Sequence, residues 1–443
     1  MTIYALSTAS GISGLAVIRI SGNSTKKIIT RLIGSDIPKP RTATLKKFKS
    51  SKTNELIDEG LLLWFPGPNS YTGEDMAELH VHGSKAVIDS LYKEISSNQN
   101  CRLAEPGEFT KIAFINNKIN LLKAEGISDL ISAETEIQRQ QAVKLISGKS
   151  SEKFNSVRSK LLKILSYVEA KIDFPDEDLP ENILDKIKID VQDIIKELEK
   201  IINDQKVGER IREGFKIAII GPANAGKSSL LNYLADRDVA IVSEIAGTTR
   251  DVIEAHLNLD GYPVIISDTA GIRDSEDEIE KKGIKLSLKR AEDADLKIII
   301  LEPKSTDFKR FLKTLVDERS IVIVNKMDRE DLKVKEEIKK LNPVYISVKK
   351  NINLDSLVAE IKKNLENKFI LTTDIFITRS RHRENIVNCI NHLKKFYDKS
   401  SLEDFDKGAE DLRLAIRHLG SIVGKVDVEE ILGSIFNDFC IGK

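Results

Sequence analysis

The chain has 443 residues, and its 69 Lys and Arg residues are balanced by 69 Asp and Glu residues, so its formal net charge is zero. This balance argues against a protein whose whole surface attracts nucleic acid, and no apolar run is long enough to span a membrane. The three cysteines are too widely spaced for a disulfide framework or a zinc site, which is typical of a reducing compartment. The N-terminal residues show no leader pattern, so we expect a cytoplasmic protein. The length of the chain predicts about three domains.

The first 118 residues have the pattern of a mixed domain. Strand-like apolar runs cover residues 15–20, 61–65 and 77–81, and residues 85–95 have helical spacing. We therefore expect an N-terminal α+β domain over residues 1–118.

Helical periodicity is found on both sides of a region in which apolar strands alternate with helices. The helical pattern covers residues 121–146, 157–172, 187–202 and 383–396. We expect one helical domain, built from residues 119–214 and 371–443, that is interrupted by an inserted α/β domain over residues 215–370. Insertions are tolerated where the two ends of the inserted domain lie close together.

A phosphate-binding loop is indicated at residues 221–228, where G-x-x-x-x-G-K-S follows an apolar run and opens a helix. Gly221 and Gly226 allow the backbone to curl so that its N–H groups face a polyphosphate. Lys227 supplies a positive charge to the β- and γ-phosphates, and the Ser228 hydroxyl can ligate Mg²⁺. The GTP contacts predicted in this segment are Asn224, Ala225, Gly226, Lys227, Ser228 and Ser229.

Two segments downstream have the order and chemistry of GTPase switch regions. Thr249 is placed to reach Mg²⁺ and the γ-phosphate, and the Asp268 carboxylate, at a strand end, can hold the metal through water. Gly271 leaves its N–H free to approach the γ-phosphate. The contacts predicted here are Thr249, Asp268, Thr269, Ala270 and Gly271.

The next two strand ends have the residues that select guanine. Asp328 can accept both the amino and the imino hydrogens of guanine, which adenine cannot satisfy, and Ser347 begins a loop that closes over the base. The predicted contacts are Asn325, Lys326, Asp328, Ser347, Val348 and Lys349. Four ordered motifs predict a P-loop GTPase, and a nucleotide-binding relic without activity is the alternative.

One position departs from the pattern of many GTPases. Ile272 stands where a glutamine usually orients the attacking water, and an aliphatic side chain cannot polarise water. Glu280, further along the same acidic segment, and a second cation are the candidates for this role.

The motifs together resemble the MnmE (TrmE) family of tRNA-modification GTPases over essentially the full length. The matching segments are residues 15–22, 68–83, 104–131, 221–229, 240–251, 268–284 and the closing FNDFCIGK at 436–443. The resemblance implies a homodimer that binds 5,10-methylene- or 5-formyl-tetrahydrofolate in its N-terminal domain. It also implies a heterotetramer with the FAD-containing MnmG (GidA). The two proteins together install an aminomethyl or carboxymethylaminomethyl group on C5 of wobble uridine in tRNA. In such proteins the GTPase domains pair, and K⁺ at the nucleotide activates hydrolysis.

The resemblance assigns roles at matching positions. The implied folate contacts are Arg19, Glu78, Lys118 and Lys443. The implied K⁺ ligands, which also line the GTP site, are Asn224, Ser243, Ile245 and Thr248. Glu280 matches the acid that orients water, and with Lys227 it forms the predicted catalytic set. Asn120 departs from the family pattern, which usually has Asp at that position.

Several side chains have a plain structural interpretation beside a functional one. His80 and His82 face the same side of a strand, as a metal pair does, but no third ligand follows at suitable spacing, so a structural role is favoured. Cys440 is a candidate nucleophile or redox thiol, and an ordinary free cysteine is the alternative. The basic residues Arg379, Arg381 and Arg383 are interpreted as a solvated helix start rather than a tRNA contact.

Two other functions compete with modification of tRNA. A ribosome-associated assembly GTPase would have the same GTPase motifs, but such proteins usually carry a KH or OB module. A self-assembling scaffold GTPase is disfavoured because we find no long heptad repeat and no membrane-binding helix.

Overall fold

A computed structural model describes residues 1–173, 183–204, 206–222, 224–237, 254–268, 289–303, 315–328, 334–368, 376–399, 405–426 and 442. Contacts divide the chain into two compact units. The first comprises Met1–Ile131, Leu145–Gln192 and Asn388–Lys443, and the second comprises Ser132–Lys144 and Asp193–Val387. In the described ranges, no helix has the length and apolar character needed to cross a membrane.

The first unit contains a six-stranded sheet in the order β3-β4-β5-β2-β1-β6. Its strands are β1 Thr2–Leu6, β2 Ser13–Ser21, β3 Thr44–Lys49, β4 Leu56–Phe65, β5 Met76–Gly83 and β6 Cys101–Leu103. The pairs are antiparallel except β1 with β6, which is parallel. The predicted runs at 15–20, 61–65 and 77–81 lie within β2, β4 and β5, so these predictions are confirmed.

One face of this sheet is covered by helices α1 Thr25–Ile33 and α2 Lys85–Ser96. The predicted helix at 85–95 is confirmed, and Ser84 caps it by accepting a hydrogen bond from the Val87 N–H. Side chains that alternate along β2 and β5, such as Ile18 and Leu79, are fully buried between sheet and helices.

The helical run predicted over residues 121–146 is two helices rather than one. Helix α4 spans Leu121–Ile131 and α5 spans Glu136–Ile146. The break arises because Thr135 and Gln138 form a capping box, in which the Gln138 N–H donates to the Thr135 hydroxyl and the Thr135 N–H donates to the Gln138 side chain. Helix α5 belongs to the second unit as far as Lys144, whereas α4 belongs to the first. Other helices of the first unit include α3 Glu108–Ile115, α6 Lys149–Asp173 and α13 Phe405–Val423.

The second unit contains a six-stranded sheet in the order β12-β11-β10-β7-β9-β8. Its strands are β7 Phe215–Ile220, β8 Glu254–Leu259, β9 Tyr262–Asp268, β10 Leu296–Leu301, β11 Ser320–Val324 and β12 Val344–Tyr345. All neighbours are parallel except the edge strand β8. Because the parallel strands end at the same edge, the loops that follow them meet there, where ligands bind in open α/β sheets.

Helices flank this parallel sheet in the second unit's part of the chain. They include α8 Val207–Glu213, α9 Lys227–Arg237, α10 Glu336–Lys339 and α11 Leu354–Lys368, while α7 Ile183–Ile202 and α12 Ser380–Asp398 contain residues of both units. The central strand β10 is buried along its whole length, and therefore on both faces. This is the pattern of a parallel sheet covered on both sides.

Candidate functional site

The phosphate-loop motif lies between β7 and α9, at the carboxyl edge of the parallel sheet. Gly226 has a φ of +104°, and a Cβ there would lie 2.3 Å from the Asn325 side-chain nitrogen. A Cβ on Gly221 would lie 2.2 Å from the Ile300 carbonyl oxygen. Both positions therefore need glycine, one for its backbone conformation and one for close approach to β10.

Lys227 holds its charge inside this loop. Its side chain is 7% exposed, and its ammonium group donates to the carbonyl oxygens of Gly221 at 3.1 Å and Pro222 at 3.0 Å. Ser228 and Ser229 follow in the first turn of α9, where backbone N–H groups and the helix dipole favour an anion. Asn224 is exposed on the same loop with a φ of 63°. This arrangement suits a polyphosphate.

Asn325 joins the phosphate loop to the loop after β12. It is 4% exposed, its side-chain NH₂ donates to the Ala225 carbonyl at 2.8 Å, and its side-chain oxygen accepts from the Val348 N–H at 3.1 Å. The structure thus brings together three segments that are distant in sequence. The sequence predicted Asn325 only as a contact in the motif that selects guanine. Its bridging role was not predicted.

The two residues predicted to recognise and close over the base are also in contact. Ser347 is fully buried and its hydroxyl donates to the Asp328 carboxylate at 2.7 Å, while Asp328 itself is exposed. The hydrogen bond holds one carboxylate oxygen and orients the group. Lys326 has a φ of 67° and forms an ion pair with Glu302, and Lys349 is exposed nearby in sequence.

Part of the predicted site lies outside the described residues. These positions are Ser243, Ile245, Thr248, Thr249, Thr269, Ala270, Gly271 and Glu280. Asp268 ends strand β9, at the same edge of the sheet as the phosphate loop, and only its backbone is described.

The first unit brings Arg19 and Glu78 together on neighbouring strands. They are directly paired in register, and the Arg19 guanidinium donates to one Glu78 oxygen through Nε at 3.1 Å and Nη2 at 2.8 Å. The guanidinium also lies 5.7 Å from the ring centres of Tyr71 and Phe109, which stack against a cation favourably. The second Glu78 oxygen lies 3.5 Å from His80 Nε2.

Gly442, the residue before the C-terminal lysine, contacts Arg19 of this pair. The Gly442 carbonyl accepts from the Ser7 hydroxyl at 2.9 Å and from Arg19 Nη1 at 3.2 Å. Gly442 has a φ of +96°, and a Cβ there would lie 2.3 Å from the Leu6 carbonyl oxygen. Ser7, Tyr71 and Phe109 were missed at the sequence level because their side chains carry no motif of their own. Cys440 and Lys443 lie outside the described residues.

Lys118 is exposed, and its side chain lies beside Gly73 in the turn that precedes β5. Asn120 serves as the cap of α4, because its side-chain oxygen accepts from the Lys123 N–H at 2.9 Å. Asn and Asp are equally good caps, so the departure from the family pattern at this position costs nothing there.

Each of the two histidines lies beside a carboxylate, His80 beside Glu78 and His82 beside Asp58. His82 hydrogen-bonds through Nδ1 to Asp58 at 2.8 Å, and the described residues contain no group of three or more His, Cys, Asp or Glu side chains able to hold a metal ion. Burial raises the pKa of the thiols of Cys101 and Cys389, so neither has the thiolate character of a nucleophile.

The interpretation of the basic run as solvated is wrong for Arg383. Its side chain is 15% exposed and is ion-paired with Asp204 at 2.6 Å and Glu209 at 2.9 Å. These carboxylates stand far back in the sequence, at the other connection to the parallel sheet, so no local pattern could reveal them.

Comparison with known proteins identifies the family. A family model for the MnmE helical domain matches residues 121–440, and one for the N-terminus of the GTP-binding protein TrmE matches residues 2–118. The chain belongs to the MnmE family. A tRNA modification GTPase MnmE of Pelagibacter ubique (strain HTCC1062) is 67% identical over 443 residues, which is 100% of both chains. That of Rickettsia akari (strain Hartford) is 46% identical over 446 aligned positions, also 100% of both.

A solved structure of Era in complex with MgGDPNP and a fragment of 16S ribosomal RNA is 29% identical over 34% of this chain and 56% of that chain, with a TM-score of 0.29. This similarity is too limited to support an argument.

Proposed function

We propose that this chain uses GTP hydrolysis to drive the modification of wobble uridine in tRNA. As a member of the MnmE family it is a GTP hydrolase of tRNA modification. The proposed reaction transfers a carbon unit from a tetrahydrofolate, bound by residues 1–118, to C5 of the uridine, with an FAD-dependent MnmG (GidA) protein as partner. The observation that carries the GTPase part is the buried Lys227 within the glycine loop at the carboxyl edge of the sheet.

In this proposal each described residue of the loop has one task. Lys227 binds the β- and γ-phosphates, while the backbone of Ala225 and Gly226 surrounds them. Asp328, oriented by Ser347, accepts the two guanine hydrogens, and this selects GTP. The GTP contacts proposed further along are Lys326, Val348 and Lys349.

Two cations are proposed at the nucleotide. Ser228 and Thr249 hold Mg²⁺, and the exposed Asn224 offers a side-chain oxygen to K⁺ at the rim of the loop. The rest of the proposed K⁺ shell comes from Ser243, Ile245 and Thr248. The bound cation supplies positive charge at the phosphates, and Glu280 orients the water that Ile272 cannot.

The folate site is proposed around Glu78. Its carboxylate is held on one side by Arg19, and a carboxylate fixed in this way suits the amino and ring N–H groups of a pterin. Lys118 and Lys443 are proposed contacts for the folate carboxylates, and Cys440, two residues before Gly442 in the sequence, is proposed as a candidate thiol. The Arg19 contact with Gly442 supports a site to which the C-terminal segment contributes.

We further propose a homodimer whose GTPase domains, residues 215–370, approach each other with GTP and separate after hydrolysis. GTP then performs no uridine chemistry and instead shifts a conformational equilibrium. The helical domain of this proposal comprises residues 119–214 and 371–443.

The cation hypothesis is tested by GTP turnover in KCl and in NaCl at equal ionic strength. We expect turnover in KCl to be faster by about 10-fold or more, because an interaction formed only in the transition state acts on the rate. Equal rates in the two salts would remove K⁺ from the mechanism.

The folate hypothesis is tested by titration with 5-formyltetrahydrofolate. We expect saturable binding that is weakened by Glu78→Gln, because the variant loses the negative charge that accepts from the pterin. Glu55→Gln, which changes an exposed glutamate in the turn between β3 and β4, is the control. Absence of saturable binding by the unmodified chain would refute the site.

A further inference from the structure

Helix α8 follows α7 in the chain, precedes strand β7 and packs against the parallel sheet. It ends one residue before β7, and that residue, Gly214, has a φ of +99° and would place a Cβ 2.8 Å from Ile265 of β9. Val207 and Ile211 are buried in the core that β7 and β9 share. Helix α8 is therefore packed rigidly against the sheet.

Adjacent residues of α8 form ion pairs with different elements. Glu209 binds Arg383 in the first turn of α12, with Nη2 at 2.9 Å from the carboxylate. Arg210 binds Asp295, with Nε at 2.8 Å from the carboxylate. Because the two charges stand on consecutive residues of a short helix, a displacement of α8 perturbs both pairs at once.

Asp295 connects Arg210 to the strand that bears the phosphate loop. Its second carboxylate oxygen accepts from the Lys216 N–H at 3.0 Å, and its own N–H donates to the Lys216 carbonyl at 2.8 Å. Lys216 lies near the start of β7, and the phosphate loop follows its end. Asp295 therefore joins Arg210 of α8 to the start of the strand whose far end carries the phosphate loop.

The other side of the connection is centred on Arg383, whose side chain is largely shielded from solvent. Arg383 donates through Nη1 to the Ile202 carbonyl at 2.7 Å and through Nη2 to Asp204 at 2.6 Å. Helix α5 also contacts α8, where Gln141 donates to the Gly208 carbonyl at 2.8 Å. The arginine thus ties the end of α7, the start of α8 and the start of α12 into one cluster.

We propose that α8 couples the nucleotide site to helix α12, through Arg210–Asp295 on the sheet side and Glu209–Arg383 on the helical side. The inference rests on the proposed function, in which bound GTP shifts a conformational equilibrium. It names α8 as the route by which that shift reaches helix α12. The coupling is a two-state element that both ends bias, and none of its four residues is among the GTP contacts proposed above.

Hydrogen exchange of the full-length chain tests this coupling. Exchange of residues 380–387 is compared with GDP and with GDP plus aluminium fluoride, in KCl. In the unmodified chain we expect a difference of about fivefold or more between the two states. In Glu209→Gln, and in Asp295→Asn on the sheet side, we expect that difference to fall below about twofold, with GTP turnover retained.

The matched control is Glu169→Gln, which removes an exposed pair with Arg413 on α6 and α13, and it should preserve the difference. A difference that persists in both Glu209→Gln and Asp295→Asn would overturn the proposal, as would its absence in an unmodified chain that hydrolyses GTP. Loss of GTP turnover in the unmodified chain would instead refute the proposed function. If a variant exchanges faster throughout both sheets, it is generally destabilised, and Arg383→Lys is used in its place. This substitution keeps the positive charge and removes the guanidinium group that reaches two carboxylates.

Discussion

Replacing Asn325 with alanine tests the architecture of the nucleotide site. The side chain is 4% exposed and makes two hydrogen bonds, to the Ala225 carbonyl at 2.8 Å and from the Val348 N–H at 3.1 Å. Alanine makes neither, so the phosphate loop loses its link to the loop after β12. Both backbone groups then lack the partner they have in the native structure.

The size of the effect follows from the burial of those groups. Leaving a buried polar group unsatisfied costs about 1–3 kcal/mol, so two such groups give about 2–6 kcal/mol. Val348 is half-buried, so water compensates part of its loss and the expected range is about 2–4 kcal/mol. If the phosphate loop of the variant avoids this cost by leaving its GTP-binding conformation, GTP binding has to restore that conformation at the same cost. GTP affinity then falls by about 30- to 700-fold.

Two measurements on Asn325→Ala separate stability from binding. Hydrogen exchange of the β7 and β11 peptides gives the free energy of local opening, and titration with a fluorescent GTP analogue gives the affinity. The control is Asn364→Ala on α11, where the same truncation removes bonds to Glu360 of the same helix, at 2.9 Å to its carbonyl. If the two variants open equally easily and bind the analogue equally well, the bridging role of Asn325 is refuted.

Three further predictions concern other groups. Asp328→Asn should shift nucleotide preference from GTP toward XTP, measured by competition binding, and unchanged preference would contradict the guanine assignment. Arg19→Ala should weaken tetrahydrofolate binding without changing GTP turnover, because the two sites share no residue; an unchanged folate affinity would exclude Arg19. Burial, aided by the neighbouring basic side chains of His392 and Arg417, lowers the pKa of His418 from its ordinary value. The unfolded chain therefore binds a proton that the folded chain resists, and the free energy of unfolding falls as pH drops from about 7. In urea unfolding at pH 7 and at pH 5.5, His418→Gln should lose less stability than the unmodified chain, and an equal loss would contradict this cause.

The strands and helices were predictable where the pattern is local. Strand-like apolar runs predicted β2, β4 and β5, and the phosphate loop was placed correctly between a strand and a helix. The short strand β6 was missed because three residues carry too little periodicity. The break between α4 and α5 was also missed, although Thr135 and Gln138 have the spacing of a capping box.

The contacts between distant segments could not be predicted from local patterns. Arg383 has the appearance of a solvated charge in its own segment, and only folding brings it to Asp204 and Glu209. Asn325 belongs to a recognisable motif, yet its bonds to Ala225 and Val348 depend on how three loops meet at one edge of the sheet. A motif identifies the chemistry, whereas tertiary packing determines the partners.

The central claim is that GTP hydrolysis by this chain drives modification of the tRNA wobble uridine. The direct test is mass spectrometry of wobble nucleosides from a bacterial strain that lacks its own MnmE-family protein and expresses either this chain or its Lys227→Ala variant. We expect the C5-modified uridine to be restored by the unmodified chain and to remain absent with Lys227→Ala. Restoration by both proteins, or by neither when both are expressed and folded, would contradict the account.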